Sequence, residues 1–158
     1  MTSQADINQK EDAIGAAPLF VAANLGHTEV INELLKRDET EVDIATITDG
    51  ATPLIIAAAH GHGKAVKALL AKGADPRCTL TTDGTTAGEC ATAGGYTLLG
   101  QALAQACYNI EFDQDPISND LERFIALERQ RDPAGRPLLP GCDLLRSTRA
   151  RSYCQGYW

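Results

Sequence analysis

An internal repeat constrains this chain more than any other feature of its sequence. Residues 15–27, GAAPLFVAANLGH, have a near copy at residues 50–62, GATPLIIAAAHGH, displaced by 35 residues. A third, weaker copy begins at residues 83–86, where Gly84 follows Gly50 by 34 residues. A period of this size is typical of arrays in which each unit stacks on its neighbours. The chain is therefore expected to bury its apolar residues between successive units rather than in one central core.

Each copy carries the signals of two helices joined by a tight turn. Proline opens the first helix, at Pro18 and again at Pro53, because proline at this position loses no hydrogen bond and presets the backbone. Gly61 follows that helix in the second copy, and glycine is favoured where a chain reverses after a helix. Apolar residues at i, i+3, i+4 spacing, ending in Leu69 and Leu70, then predict a second and longer helix.

This order of turn, short helix, glycine and longer helix, at a spacing near 33 residues, resembles the ankyrin-repeat family. The first copy departs from the family pattern at Ala17, where the family prefers threonine, and the third has Ala87 and Gly88 in place of proline and leucine. The resemblance implies an all-α fold, a short ankyrin-repeat helical solenoid. It covers residues 13–107, as repeats at about 13–45, 47–80 and 81–107.

The segments that flank the array show no further copy of the repeat. Residues 1–12 are polar, and residues 108–158 contain one apolar-periodic stretch that starts at Asn119 with an acidic residue three positions later. That start resembles a capping box, so we expect a C-terminal capping helix that packs over the last repeat and ends near Arg131. The remainder, up to Trp158, is rich in proline, glycine and arginine and is expected to be an irregular tail.

The net charge and the cysteine content limit which binding partners and which cellular compartment we expect. The chain has 14 Lys plus Arg against 21 Asp plus Glu, a formal charge of −7. This balance disfavours nucleic acid and anionic membranes as partners, and no apolar run approaches the roughly 18 residues of a membrane span. Five scattered cysteines with no secretory signal pattern fit reduced thiols. We expect a monomer in the cytoplasm, with the nucleus as the alternative.

The residue types of metal and catalytic sites are present but lack the required spacing. His60, His62, Cys78 and Cys90 could be considered for zinc, yet the chain has no paired Cys-x₂-Cys motif. Nothing in the sequence directs a thiol at a base, so the cysteines are interpreted as small buried hydrophobic residues. We therefore expect no catalytic residue, no metal and no cofactor.

Two polar features leave alternatives open. The acidic cluster at residues 38–43 is interpreted as a solvated loop between repeats, with a cation site as the alternative, because it lacks EF-hand spacing. The C-terminal tail, with Arg146, Arg149, Arg151 and Trp158, is interpreted as a solubilising segment, with a docking peptide as the alternative. The resemblance also assigns the histidine after the glycine, His27 or His62, a structural bond across the turn between helices.

The resemblance implies a function without catalysis, the binding of a partner protein on the concave face of the array. The alternative is an adaptor or targeting subunit of an enzyme system, whose C-terminal segment docks a catalytic partner. By alignment to the variable positions of the family, the expected contact residues are Ile14, Ala16, Thr48, Asp49, Ala51, Thr82, Asp83 and Thr85 on the tips, with Asn24, Leu25, Ala59 and His60 on the first helices.

Overall fold

The computed structural model describes residues 7–10, 13–111 and 119–128 of the chain. Within these residues there are seven α-helices and no β-strand, apart from one isolated bridge between Thr79 and Thr86. The expectation of an all-α fold is confirmed. In chain order the helices are α1 Pro18–Asn24, α2 Thr28–Leu35, α3 Pro53–Ala59, α4 Gly63–Ala71, α5 Ala87–Ala93, α6 Thr97–Glu111 and α7 Asn119–Glu128.

The first six helices form three pairs, one for each copy of the sequence repeat. The short helices α1, α3 and α5 pack in succession, and α2 packs on α4. One cluster of buried side chains runs through all three pairs, and Phe20, Leu54, Leu69 and Leu99 are among its largest fully buried members. Contacts between neighbouring repeats therefore hold the stack together, as expected of a repeat array.

The first helix of each repeat begins in a different way. In the second repeat, the Thr52 hydroxyl accepts a hydrogen bond from the Ile55 amide at 3.3 Å, and in the third, Thr86 and Glu89 form a complete capping box. In the first repeat, Ala17 occupies this position and provides no side-chain cap. The departure at Ala17 seen in the sequence thus removes one hydrogen bond from the start of α1.

The third repeat departs from the other two in its second helix. Helix α6 has 15 residues, compared with 8 in α2 and 9 in α4, and it continues past residue 107, where we expected the array to end. Glycines let α5 and α6 approach closely, because a Cβ atom on Gly88 would lie 3.1 Å from the Gly100 carbonyl oxygen. Gly88, a departure from the family pattern, therefore has a packing reason.

The expected C-terminal helix is present as α7, but its location refines the expectation of a cap over the last repeat. Helix α7 packs against α4 and α6, and within the described ranges it has no comparable packing against α5. Leu121, Phe124 and Ile125 are buried, and Lys67 of α4 pairs with Glu122. Helix α7 thus joins the second helices of two repeats and does not cover α5.

Several expectations fall on residues outside the described ranges. They concern the end of the capping helix near Arg131 and the whole arginine-rich tail. Cys142 and Cys154 also lie there. Of the polar N-terminal segment, only residues 7–10 are described.

Candidate functional site

Two tips, residues 46–51 and 80–85, connect successive repeats. Each tip is closed by a backbone hydrogen bond of 3.0 Å between the amide of its first residue and the carbonyl of its last. Each is also tied to the loop before it. The amide of Ile47 donates to the carbonyl of Ile14 at 2.8 Å, and in the second tip the amide of Thr81 donates to the carbonyl of Asp49 at the same distance. The tips therefore form a row with a fixed spacing.

The Asp49 side chain forms hydrogen bonds within the first tip. Its Oδ1 accepts hydrogen bonds from the Thr46 hydroxyl at 2.6 Å, from the Thr48 hydroxyl at 3.2 Å and from the Ala51 amide at 3.4 Å. Asp83 has a simpler version of this role in the second tip, where it accepts from a backbone amide at 3.1 Å. Both aspartates were predicted as contact residues, and the structure gives them a part in shaping the turns.

The twelve predicted contact residues differ widely in exposure. Four of them are exposed, five are half-buried and three are buried. The full division is Leu25, Thr48, Thr82 and Asp83 exposed, Ile14, Asn24, Asp49, His60 and Thr85 half-buried, and Ala16, Ala51 and Ala59 buried.

The three alanines require a correction. Ala16, Ala51 and Ala59 are 5%, 1% and 5% exposed and belong to the core cluster. We expected them to face a partner, but their side chains are packed inside the array. Small residues are needed at these positions because the helices and tips approach one another closely.

Ile47 is an exposed tip residue that the sequence reasoning missed. Its side chain is 71% exposed, the largest value among the exposed large hydrophobic residues of the described ranges. Leu25, which was predicted, is 53% exposed. The signal for Ile47 was available, since a large apolar residue in a turn next to threonine and aspartate has no structural reason to be there unless it packs or binds.

Two histidine rings lie stacked at the end of the second repeat's first helix. The rings of His60 and His62 are 5.9 Å apart and nearly parallel, and Nδ1 of His60 donates to the Ile56 carbonyl at 3.0 Å. Nε2 of His62 donates to the Asn24 carbonyl at 3.1 Å. Burial lowers the pKa of His62, although the bond to Asn24 opposes this shift. The His62 bond is structural, as the resemblance implied, but it joins two repeats instead of crossing the turn between the helices of its own repeat.

His27 has the same position in the first repeat but a different environment. It is exposed, whereas His62 reaches back to the repeat before it. No described repeat precedes His27, so it has no corresponding carbonyl to bind. The structural role expected for this histidine therefore depends on a preceding repeat.

The acidic cluster contains one residue with a defined structural role. Both carboxylate oxygens of Asp43 accept from the amide of Asp75, at 3.2 and 3.1 Å. Burial raises the pKa of Asp43, and the Asp75 amide opposes this shift. Asp38, Glu39 and Glu41 are exposed. Asp43 thus links the loops of two repeats.

The described thiols and acids do not form a metal or nucleophile site. No group of three or more His, Cys, Asp or Glu residues that could hold a metal lies within the part of the chain that is described. Cys90 is buried and Cys78 and Cys107 are half-buried, and burial raises the pKa of Cys78 and of Cys107. A raised pKa keeps these thiols protonated, which is the opposite of what a nucleophile needs.

A shallow groove of about 240 Å³ lies between α5 and α6. Gly88, Gly100 and Ala104 line its apolar side, and Glu89 and Thr92 line its polar side. Hydrogen bonds from Thr86 lower the pKa of Glu89, so this carboxylate is ionised and committed to the helix cap. The groove thus offers an open surface whose one acid already has a partner.

Comparison with known proteins supports the repeat assignment. A family model described as ankyrin repeats (three copies) matches residues 1–80 and also residues 21–114. These matches span more than half of the chain, and they include the N-terminal residues that we set outside the array. No curated protein is significantly similar to the sequence. None of the described helices is long and apolar enough to cross a membrane.

Proposed function

The chain belongs to the ankyrin-repeat family, and from this premise we propose that it binds a partner protein through a concave face made by its tips and first helices. Ankyrin repeats are generally protein–protein interaction modules. Stacked repeats of this kind offer extended surfaces rather than deep pockets. We define the concave face by Asn24, Leu25, Ile47, Thr48, His60 and Thr82.

One observation carries this proposal, the exposure of large apolar side chains on a rigid support. Ile47 and Leu25 are 71% and 53% exposed, while the backbone of the tip is fixed by its bond to Ile14. Exposed apolar groups on a preorganised backbone favour binding, because little conformational entropy is lost when they are covered. Polar neighbours such as Thr48 and Thr82 supply hydrogen-bonding groups around them.

The charge and chemistry of the array support a binding role without catalysis. The net charge of −7 favours protein partners over nucleic acid. Three of the acids that have hydrogen-bond partners, Asp43, Asp49 and Glu89, stabilise loops and a helix end. We propose that the protein is a monomeric, non-enzymatic module in which the array, about residues 13–107, is the binding unit.

The experiment compares two double variants that differ in the face they change. The partner is isolated with the full-length protein and its affinity is then measured with both proteins purified. Leu25→Asp with Thr48→Arg should weaken binding at least about tenfold, a loss of about 1.4 kcal/mol. Asp49 is left intact because it supports the tip.

The matched control changes charge on the second helices instead. Lys64→Glu with Lys72→Glu should leave the affinity within about twofold, and both variants should melt close to the natural protein because surface changes are usually within about 0.5 kcal/mol. Lys36 and Lys67 are unsuitable for this purpose, since they pair with Glu33 and with Glu122 of α7. Loss of binding in the lysine variant alone would refute the concave-face proposal.

A truncation at Pro133 tests the adaptor alternative. If the truncated chain binds the partner as well as the full chain does, the array is sufficient. If truncation removes one partner and leaves another bound, the segment after α7 has its own partner and the adaptor function replaces the simpler proposal.

A further inference from the structure

The third repeat, at the end of the array, has no positively charged residue. Between Arg77 and Arg123 the sequence contains no lysine, arginine or histidine. The same stretch contains seven acidic residues, namely Asp83, Glu89, Glu111, Asp113, Asp115, Asp120 and Glu122. Asp83 and Glu89 are exposed. A surface whose charges are all negative favours a positively charged occupant.

The segment that follows α7 has the opposite charge. Residues 129–158, which we call the arginine-rich tail, contain six arginines, two aspartates and no lysine or glutamate, a formal charge of +4. The whole chain carries −7, so residues 1–128 carry −11. The tail and the array therefore attract each other, and the attraction is strongest where no lysine or arginine balances the acids.

The groove between α5 and α6 is the opening that the third repeat offers to such an occupant. Helix α5 packs on α3 and α6, and within the described ranges no other helix packs on it to a comparable extent. The groove volume of about 240 Å³ holds a few side chains, less than one turn of a helix with a diameter of about 10 Å. Gly88, Gly100 and Ala104 line its apolar side, so apolar side chains can approach both helices closely there.

Glu89 provides a fixed carboxylate oxygen beside this apolar lining. The Thr86 amide and hydroxyl both donate to Oε2 of Glu89, at 2.8 and 2.9 Å. Oε1 has no hydrogen-bond partner among the residues that the structure describes. Because the capping box holds the carboxylate in place, Oε1 is a preorganised acceptor for a cationic side chain.

One part of the arginine-rich tail matches the groove in both charge and polarity. Residues 136–140, RPLLP, place Arg136 next to Leu138 and Leu139, with a proline on each side of the leucines. Proline disfavours a helix at its own position and at the residue before it. The sequence therefore combines the features that the groove requires, two apolar side chains and a neighbouring cation without a helix.

The linker between α7 and this segment is long enough to reach the groove. Helix α7 packs against α6, and α6 also lines the groove. Arg136 lies eight residues beyond Glu128, and eight extended residues span up to about 29 Å. Helix α6, with 15 residues, is only about 22 Å long. The segment can therefore reach the groove while α7 remains packed.

We propose that the groove between α5 and α6 is a docking site for the arginine-rich tail of the same chain, with Leu138 and Leu139 on its apolar side and Arg136 paired with Oε1 of Glu89. None of the residues that define the concave face lines this groove, so the two surfaces are separate. A tail that is docked there is withheld from other proteins, and the groove thus controls whether the tail can act as a docking peptide.

The test measures the alkylation of Cys107 in the full-length protein. Cys107 lines the groove and Cys78 does not. Both thiols are half-buried, and burial raises the pKa of each, so Cys78 is an internal reference. Iodoacetamide followed by peptide mass spectrometry gives the rate at each thiol. A docked tail should protect Cys107, because the reagent reaches a covered group only when the cover opens.

Two leucine pairs in the tail provide the variant and its matched control. Leu138→Asp with Leu139→Asp should raise the rate at Cys107, relative to Cys78, at least about fivefold. Leu144→Asp with Leu145→Asp makes the same chemical change at the second leucine pair and should leave the ratio within about twofold of that of the natural protein. No effect of the first pair, or equal effects of both, would overturn the proposal.

A substitution at Glu89 tests the same contact from the groove. Glu89→Gln removes the charge but retains a residue that can form a capping box, and it should raise the relative rate at Cys107 at least about twofold. Glu29→Gln is the control, since Glu29 is an exposed acid in the first turn of α2. Both variants should melt close to the natural protein. An unchanged rate in Glu89→Gln shows that Arg136 does not pair with this carboxylate.

Dilution distinguishes the tail of the same chain from the tail of a second copy. Protection by a segment of the same chain does not depend on protein concentration, so the ratio of the two rates should stay constant on dilution. Protection that disappears on dilution would make a second copy the source of the occupant and overturn the proposal.

Discussion

Nε2 of His62 donates a hydrogen bond to the carbonyl oxygen of Asn24 at 3.1 Å, across 38 residues of sequence. The bond joins the turn of the second repeat to the end of the first helix of the repeat before it. The His62 ring also lies over Gly26, where a Cβ atom would be 2.6 Å from Nδ1. One side chain therefore fixes the distance between two repeats and requires glycine at the turn that it covers.

Stability should decrease as the pH falls below about 6.5 because of His62. Burial lowers the pKa of His62 in the folded protein below its usual value of 6.5, so the unfolded chain takes up the proton first as the pH falls. The contribution of His62 to the free energy of unfolding is complete above its pKa in the unfolded chain. This contribution is lost as the pH falls toward the pKa of His62 in the folded protein. Thermal melts at pH of about 7.5 and 5.5 should show a lower midpoint at the acidic pH, before most carboxylates titrate.

Two glutamine variants separate His62 from the other histidines. His62→Gln should reduce the difference between the two midpoints, whereas His27→Gln, at the equivalent exposed position, should retain it. A full pH dependence in His62→Gln would show that another group is responsible.

Leu69→Ala should destabilise the protein by about 2–5 kcal/mol, because it removes most of a fully buried side chain and leaves a cavity. Leu69 is 0% exposed. Leu25→Ala makes the same chemical change at a side chain that is 53% exposed and should cost less than about 0.5 kcal/mol. Chemical denaturation of both variants measures the difference, and equal costs would contradict the repeat register.

Reciprocal substitutions at the N-caps of α1 and α3 should change the stability of the protein in opposite directions. Thr52→Ala removes the hydrogen bond to the Ile55 amide and should cost about 0.5–2 kcal/mol. Ala17→Thr places the same cap at the start of α1, where no side chain now provides one, and should raise the melting midpoint. A lower midpoint for Ala17→Thr would show that the first repeat has no room for the hydroxyl and methyl groups.

Two glycines with similar backbone angles should differ in their tolerance of alanine. Gly61 and Gly73 have φ values of +71° and +89°, but a Cβ on Gly61 would collide with the Tyr96 ring, whereas a Cβ on Gly73 would meet no atom within 4 Å. Gly73→Ala should cost about 1–2 kcal/mol for the left-handed backbone alone. Gly61→Ala should cost more, and denaturant titrations can compare the two.

Helix α7 should be held mainly by its apolar residues. Phe124 is 1% exposed and meets Tyr96 edge-on with ring centres 6.2 Å apart, so Phe124→Ala should cost about 3–5 kcal/mol. Glu122→Gln removes only the exposed ion pair with Lys67 and should cost less than about 1 kcal/mol. Hydrogen exchange of the α7 amides should accelerate in the first variant alone, and equal acceleration would contradict this account.

Particular residues show how far the candidate site could be predicted. Leu25, Thr48 and Thr82 were identified from the repeat alignment and are exposed. Alignment could not reveal that Ala16, Ala51 and Ala59 are buried, because it gives the position of a residue in the repeat and not the distance to its neighbours. It also missed Ile47, because the alignment used the variable positions of the family and gave no weight to a large apolar residue in a turn.

The sequence by itself determined the number and order of the helices in the array, because proline, glycine and leucine recur with a period that only stacked helix pairs satisfy. It also determined where caps are present, since Thr52 and Thr86 act on amides three residues away. Only the tertiary structure decided that α7 packs against α4 and α6, that His62 binds Asn24, and that Val21 is exposed while Ile56 is buried. These properties depend on contacts between segments far apart in the chain, and no local pattern specifies which neighbour a face will meet.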